Sequence, residues 1–257
     1  MINSESISLK ETVEPLLREL LAESQFRSFP QTFVYPSSIR KESILFIGIN
    51  PSKSNENHKE IEDYELLQND NGHPYFKKFQ EIAEYCRTPW THFDLLFFRE
   101  TNQRRIHEIL RTDSGIDFIW RQLQVSDSII RESKAEIIVV NNTLARTLLG
   151  FDRNGEKNAW MNYEFVFDNE IGTYRWEGIP VFFSSMLTGQ RALDKGSFER
   201  LKWHIRHALI IGLEKKKKEV VAFKNEVVKT QKYNLAEEIR EQERELENRL
   251  VGLRFKG

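Results

Sequence analysis

The side chain best suited to chemistry in this sequence is an asparagine between an apolar run and a polar one. Residues 48–53 read Gly-Ile-Asn-Pro-Ser-Lys. The Asn50 carboxamide is too weak for a general base, but it can orient a water molecule and hydrogen-bond the edge of a substrate. Ser52 and Lys53, together with backbone N–H groups, can hold a phosphate. The segment therefore predicts a site that binds a phosphate-bearing substrate and positions water beside it.

Two further loops have compositions that favour contact with a nucleic-acid backbone. Residues 99–105 hold three arginines in seven positions, which favours a phosphate clamp, although a solvated loop has the same composition. Residues 184–191 combine two serines, an apolar pair, a flexible glycine and an arginine. An apolar tip between hydroxyls and charge is what a wedge into DNA requires. Another loop, residues 141–143, is explained by helix capping as well as by ligand binding.

Short apolar runs precede these loops and are predicted to be buried strands. They cover residues 44–49, 94–98, 136–140 and 180–184 and are rich in β-branched and aromatic side chains. Helical patterns separate them. The alternation predicts an α/β fold, a three-layer α/β/α sandwich with a central, mainly parallel four-stranded sheet. In such sheets ligands bind beyond the carboxyl ends of the strands, where the four loops would meet.

The chain divides into three parts. Residues 1–30 are predicted to form an N-terminal helix packed on the core, residues 31–212 the α/β domain, and residues 213–257 a charged helical extension. Within the domain, residues 163–177 are predicted to form a β-hairpin, and a last core helix ends at about residue 211. The extension is either one long helix or a helical pair hinged near Tyr233. It either lies on the core as a solvated helix or contacts DNA, a second copy or another protein.

Composition narrows the class of protein. With 39% hydrophobic residues among 257, the chain can fill a core. It has no apolar run of the roughly 18–20 residues that a membrane helix needs, and no apolar signal core near Met1. A single cysteine, Cys86, excludes an intramolecular disulfide. These features predict a soluble cytoplasmic protein that does not contact membranes. Because the net charge is only -1, DNA binding would depend on where the basic residues lie.

Several of these segments resemble the uracil-DNA glycosylase superfamily, over roughly residues 40–210. Residues 48–51 match the first motif of its mismatch-specific and single-strand-selective branches, whose asparagine positions the attacking water, so the resemblance makes Asn50 the catalytic candidate. Residues 72–76 resemble the family's Gly-x-Pro-Phe segment, which would place Tyr75 against the extruded base. Residues 134–150 resemble its third strand and helix. Residues 180–191 lie where the family carries its His-Pro-Ser loop.

The chain also departs from the family's pattern. Met186 stands in place of a histidine or asparagine, and a thioether cannot donate a hydrogen bond to the departing base. Donors of this kind contribute roughly 2.7–4 kcal/mol, and Thr188 with nearby N–H groups would have to replace this one. Asp94 stands where many members have a base-pairing asparagine; an ionised carboxylate prefers an edge with an amino group, such as cytosine N4. The alternative is a loop acid that pairs with Arg99.

The resemblance implies a monofunctional DNA glycosylase that excises uracil or a modified pyrimidine, such as a bulky modified cytosine in foreign DNA. Two alternatives stay open: a glycosylase-like module that binds DNA or a protein without catalysis, and an α/β enzyme that acts on free nucleotides or sugars. No metal, iron–sulfur cluster or other cofactor is expected. The residues expected to contact the base are Ile49, Tyr75, Asp94 and Met186. Those expected to contact DNA are Ser52, Lys53, Arg99, Arg104, Leu187, Gly189, Gln190 and Arg191.

Overall fold

A computed structural model describes residues 5–53, 59–65, 74–150, 160–189, 192–230 and 233–254. Its α-helices are α1 Lys10–Ala22, α2 Lys77–Cys86, α3 Gln103–Ile109, α4 Asp113–Ser133, α5 Thr143–Leu149, α6 Lys195–Lys229 and α7 Tyr233–Arg254. Its strands are β1 Ser6–Ser8, β2 Phe33–Pro36, β3 Ser38–Arg40, β4 Ile44–Gly48, β5 Ile61–Tyr64, β6 Trp90–Asp94, β7 Ile137–Val140, β8 Val166–Asp168, β9 Thr173–Trp176 and β10 Ile179–Phe183. Short 3₁₀ turns cover Ser24–Phe26 and Pro74–Phe76.

The central sheet has six strands in the order β6-β4-β7-β10-β9-β8. The first four are mutually parallel, which confirms the prediction of a mainly parallel α/β sheet. The predicted hairpin forms β8 and β9, which pair antiparallel with each other, and β9 pairs antiparallel with β10. The hairpin thus extends the sheet from four strands to six. Two small two-stranded sheets, β1-β3 and β2-β5, lie outside it.

The strand predicted at residues 94–98 is wrong by four residues. The strand is β6, Trp90–Asp94, and the apolar run after Asp94 continues as irregular chain that is still buried. The apolar pattern did not extend to this strand because it contains the polar residues Thr91 and His92, which are nevertheless buried, at 1% exposure each. The shift has a functional consequence, since Asp94 ends the strand instead of beginning it.

Helices cover both faces of the sheet. Along β4, Leu45 and Ile47 belong to one apolar cluster, which includes residues of α1, α4 and α5. Ile44 and Phe46 point the other way, into a cluster with residues of α2, α6 and α7. The N-terminal helix packs on the core through Val13, Leu17 and Leu20 of α1. Alternation along a buried strand directs successive side chains to opposite faces.

The last core helix does not end near residue 211. α6 continues to Lys229, and α7 then folds back along it, so the C-terminal extension is a helical pair. Leu246, Leu250 and Leu253 of α7 join the core cluster beneath α2 and α6. The extension therefore lies on the core. None of the helices in the described ranges is both long enough and apolar enough to cross a membrane.

Candidate functional site

Four neighbouring positions form a row at the carboxyl edge of the parallel strands. Gly48 is in register with Asp94, and the pairings of Ile47 and Phe183 with Val140 place Asn141 and Ser184 next in line. The ladder continues through the row, because the Asn141 N–H donates to Ile47 O at 3.1 Å and the Ser184 N–H donates to Val140 O at 2.9 Å. We call Asp94, Gly48, Asn141 and Ser184 the carboxyl-edge row. It occupies the part of the sheet where α/β proteins bind ligands.

Gly48 makes room for the Asp94 carboxyl group. A β-carbon at position 48 would lie 1.9 Å from Asp94 Oδ1 and 3.3 Å from His92 Nε2. Any side chain there would displace the carboxyl group, so the glycine is required for close packing and not for an unusual backbone angle. The sequence alone did not identify Asp94 as the group that packs against Gly48.

Asp94 is a buried carboxyl group with an altered affinity for protons. Its side chain is 13% exposed, and burial raises its pKa to about 7. The alternative interpretation, an acid paired with Arg99, is not supported, since the Arg99 guanidinium contacts Glu62 at 2.7 Å. At neutral pH Asp94 can therefore be protonated, when it donates a hydrogen bond, or ionised, when it only accepts hydrogen bonds.

His92 lies directly beneath Asp94 on the same strand. Its Nε2 is 3.8 Å from Asp94 Oδ1, and its Nδ1 is 3.4 Å from the Tyr64 hydroxyl. The rings of Tyr75, Phe76 and Phe79 enclose the imidazole at centroid distances of 5.4–5.9 Å. Burial lowers the pKa of His92 to about 3, so the ring is neutral at physiological pH. Sequence reasoning missed this residue, because it lay before the predicted strand.

Tyr75 lies beside the row. Its ring contacts Phe79 at 5.3 Å and His92 at 5.9 Å, and its hydroxyl hydrogen-bonds the side chain of Asn141. Burial, together with the negative charge of Asp94, raises the pKa of Tyr75. The first two residues of the Gly-x-Pro-Phe-like segment lie outside the described residues. The remainder is a 3₁₀ turn that leads into α2.

Asn141 and Asn142 have separate roles, which the sequence alone left undivided. The Asn142 side chain caps α5, where its Oδ1 accepts from the N–H groups of Leu144 at 2.8 Å and Ala145 at 3.3 Å. Capping therefore accounts for Asn142 only. Asn141 is 3% exposed and its amide lies in the carboxyl-edge row beside Tyr75. For Asn141, the ligand-binding alternative that the sequence left open stays available.

Asn50 has an amide whose orientation is fixed. Its Nδ2 donates to the backbone carbonyls of Glu100 at 2.6 Å, Pro51 at 3.0 Å and Phe98 at 3.4 Å. The amide thereby ties the end of β4 to the loop after β6. Because Nδ2 is committed to these carbonyls, Oδ1 is the amide atom that can accept a hydrogen bond from water.

The residues predicted to contact phosphate differ in their exposure and in whether their charge is already paired. Ser52, Lys53 and Arg104 are exposed, and the Lys53 N–H donates to Thr101 Oγ1 at 3.1 Å, which joins the two loops. Arg99 is held by Glu62, so its charge is compensated. Ile49, predicted to contact the base, is 5% exposed and packs in the core on the α1 side.

The loop after β10 presents a different residue from the one expected. Leu187, predicted to contact DNA, is 3% exposed and belongs to the core cluster, so its placement at the loop tip is wrong. Met186 is the exposed apolar residue of the loop, at 37%. Thr188 is half-buried and Gly189 is exposed with a φ of +90°. Gln190 and Arg191 lie outside the described residues.

The histidine pair on α6 is engaged in packing. His204 Nε2 lies 2.5 Å from the Ile171 carbonyl, and the His207 ring stacks on Trp203 at 5.2 Å. Within the described ranges, no three His, Cys, Asp or Glu side chains come together as a metal site.

Comparison with known proteins gives no further guide to this site. No protein-family model matches the chain, and no curated protein matches it either.

Proposed function

We propose that this protein is a DNA glycosylase of the uracil-DNA glycosylase type, with the three-layer α/β/α fold of that superfamily. It hydrolyses the N-glycosidic bond of an extruded uracil or modified pyrimidine and leaves an abasic site. The observation that carries the proposal is the carboxyl-edge row beside Tyr75: the polar side chains of Asp94, Asn141 and Ser184 lie next to an aromatic ring at the ligand-binding end of a parallel sheet.

The row has the hydrogen-bonding groups that a pyrimidine requires. Asn141 offers both a donor and an acceptor, and Asp94 offers a donor when protonated and only acceptors when ionised. A protonated Asp94 suits the carbonyl of uracil, and an ionised Asp94 suits the amino group of a cytosine. Because burial raises the pKa of Asp94 to about 7, both forms are accessible near neutral pH.

Asn50 supplies the water-positioning group. Its Nδ2 is bound to three carbonyls, so Oδ1 accepts a hydrogen bond from the attacking water and directs it at the sugar carbon. The bond to the base breaks with its electron pair on the base, the water oxygen bonds to the sugar carbon, and the proton that the water loses ends on the departed base. Thr188 and N–H groups of its loop stabilise the departing base, since Met186 cannot.

DNA is held by the exposed loops around the row. Lys53, Ser52 and Arg104 contact phosphates. Met186, and not Leu187, enters the base stack, because it is the apolar side chain that this loop exposes. Arg99 does not serve as a phosphate clamp in this proposal, since Glu62 neutralises it.

The test is base release from defined DNA. Single- and double-stranded oligonucleotides that carry uracil, hypoxanthine or modified cytosines are incubated with the protein and then treated with alkali, which cleaves abasic sites. Asn50→Ala is expected to lower the rate by about 100-fold or more while DNA binding remains. Asn142→Ala is the matched control, because it removes a side-chain amide near the same edge of the sheet whose role is to cap α5. Full activity in Asn50→Ala would refute its assigned role.

A catalytically inactive binding module is the second candidate. It is favoured by Asn50 itself, whose three carbonyl contacts also make sense as a purely structural tie between loops. This candidate predicts salt-dependent DNA association with no base released from any of the oligonucleotides. Absence of DNA binding as well would exclude the glycosylase and the DNA-binding module, and would leave a protein-binding module or a small-molecule enzyme.

A further inference from the structure

We infer that His92 is a positioning residue for Asp94, and that Tyr64 in turn holds His92. The inference deepens the proposed function, on which it rests for the role of Asp94 in contacting the base. It concerns three side chains from two strands: Tyr64 at the end of β5, and His92 and Asp94 at the end of β6.

Gly48 leaves the space in which the Asp94 carboxyl group and the His92 imidazole approach each other. Asp94 Oδ1 and His92 Nε2 both lie over the space that a β-carbon at position 48 would occupy, at 1.9 Å and 3.3 Å from it. They are 3.8 Å apart, slightly beyond a hydrogen bond. A small rotation of the Asp94 carboxyl group would close the contact, and the open side of Gly48 gives it room to rotate.

His92 Nε2 is a buried polar atom with no hydrogen-bond partner among the described residues. His92 is 1% exposed, so water does not replace the missing partner at its surface. Buried polar atoms without partners are rare and costly in folded proteins, and they occur at functional sites. This atom is aimed at the carboxyl group proposed to read the base.

The other ring nitrogen decides where the proton of His92 resides. The Tyr64 hydroxyl lies 3.4 Å from Nδ1 and can donate to it, which leaves the imidazole proton on Nε2, toward Asp94. With Nε2–H directed at Oδ1, the acidic proton of Asp94 is confined to Oδ2. His92 thereby determines which oxygen of Asp94 donates to a base.

The surroundings keep His92 neutral. Among the residues that the structure describes, the titratable groups that face it are Tyr64 from β5, Tyr75 from the turn before α2, and Asp94 from its own strand; Arg99 is the charged group near Tyr64. The remaining neighbours, Phe76 and Phe79, are apolar. Burial lowers the pKa of His92 to about 3, so it acts as a neutral donor and not as a cation.

The first test measures Asp94 directly, without any substrate. The pKa of the Asp94 carboxyl group is followed by NMR in the full-length protein labelled with ¹³C-aspartate. His92→Phe fits the aromatic surroundings but removes both nitrogens, and it is expected to raise the pKa of Asp94 by about one unit. His92→Gln retains a hydrogen-bond donor and is expected to bring the pKa of Asp94 most of the way back to its wild-type value. His204→Phe, at a histidine that contacts Ile171, is the matched control and should leave Asp94 unchanged.

The second test uses the pH profile of base release from uracil-containing single-stranded DNA. The pH at which activity falls on the alkaline side is expected to be about one unit higher in His92→Phe than in the wild type. It should be close to the wild-type value in His92→Gln, and Tyr64→Phe should raise it by less than His92→Phe does. An Asp94 pKa that is equal in the wild type and His92→Phe would overturn the inference. If the wild type releases no base, the proposed function fails, while the NMR titration still decides the role of His92.

Discussion

The two edges of the central sheet differ in whether their polar side chains are paired. At the amino edge, Glu136 precedes β7 and forms a two-pronged ion pair with Arg249 of α7, at 2.8 and 2.7 Å, beside apolar residues of the same helix. At the carboxyl edge, polar side chains occupy the ends of neighbouring strands, and His92 Nε2 has no partner among the described residues. The C-terminal extension covers the amino edge with a satisfied ion pair, whereas the carboxyl edge keeps a polar atom unsatisfied.

The difference shows where the fold gives up stability. Arg249 and Glu136 satisfy each other's charges in a partly buried position, as a structural pair must. Burial pushes both Asp94 and His92 toward neutrality, and the 3.8 Å between them is too long for a hydrogen bond that would compensate. Natural sequences tolerate such local conflicts mainly at functional sites. The contrast therefore favours the carboxyl edge as the site and assigns α7 a structural role.

The largest effect is expected at the amino edge. Leu250→Ala removes a side chain that is 5% exposed, and it should lower the free energy of unfolding by about 2–5 kcal/mol. Base release or DNA binding per folded molecule should not change. Chemical denaturation and the activity of the folded fraction measure the two quantities. A loss of activity without loss of stability would show that the extension belongs to the site, and would break the comparison.

At the carboxyl edge, Asp94→Asn should raise stability, and increasingly so with pH. The pKa of Asp94 is about 7 in the folded protein, against an ordinary value of 3.8 for an unfolded chain. Its stability contribution is therefore complete below 3.8 and is lost as pH rises through 7. The advantage of Asp94→Asn should grow between these values and then level off, at up to about 4 kcal/mol from roughly 1.36 kcal/mol per pKa unit.

His92 provides the opposite sign and hence an internal check. Its lowered pKa makes its contribution complete above the ordinary value of 6.5 and lost as pH falls toward 3. Asp94→Asn leaves this acid-side loss in place. Unfolding free energies of the wild type and the variant across about pH 4–9 measure the difference, and a difference independent of pH would contradict a buried, neutral Asp94.

Gly48→Ala should cost about 1–3 kcal/mol, because the added methyl group would collide with Asp94 Oδ1. It should also expel the carboxyl group from the row and abolish base release. The matched control is Gly212→Ala, where nothing lies within 4 Å of the new β-carbon. That change sits inside α6 and should stabilise the protein by about 0.5–1 kcal/mol. Thermal unfolding of both variants tests the packing argument.

The smallest effect on stability is expected at the tip of the loop after β10. Met186→Ala should change the free energy of unfolding by no more than about 0.5 kcal/mol, because the side chain is exposed. Leu187→Ala should cost about 2–5 kcal/mol, because that side chain is buried. If Met186 enters DNA, Met186→Ala weakens DNA binding by about 10-fold in an equilibrium binding assay. Equal costs for the two variants would show that the loop is placed differently.

Much of the fold follows from local patterns. The helix at residues 143–149 begins at the Asn142 cap and ends at Gly150, whose φ is +131°, and both are local devices that a sequence displays. The hairpin follows in the same way from its turn residues. The strand β6 was misplaced, because burial of Thr91 and His92 is decided by the helices that cover them and not by their own hydropathy.

The sequence by itself determined the alternation of helices with the strands of the parallel sheet, the edge at which polar residues collect, and the candidates Asn50, Tyr75 and Asp94. Periodicity and turn chemistry act within a few residues, so they can be read from the chain. Only the tertiary structure placed Asp94 over Gly48 and beside His92, joined Asn141 to Tyr75, and buried Leu187 in place of Met186. The contacts of Asp94 with Gly48 and of Asn141 with Tyr75 join residues far apart in the chain. Strand register and packing, which no local pattern encodes, decide all of these placements.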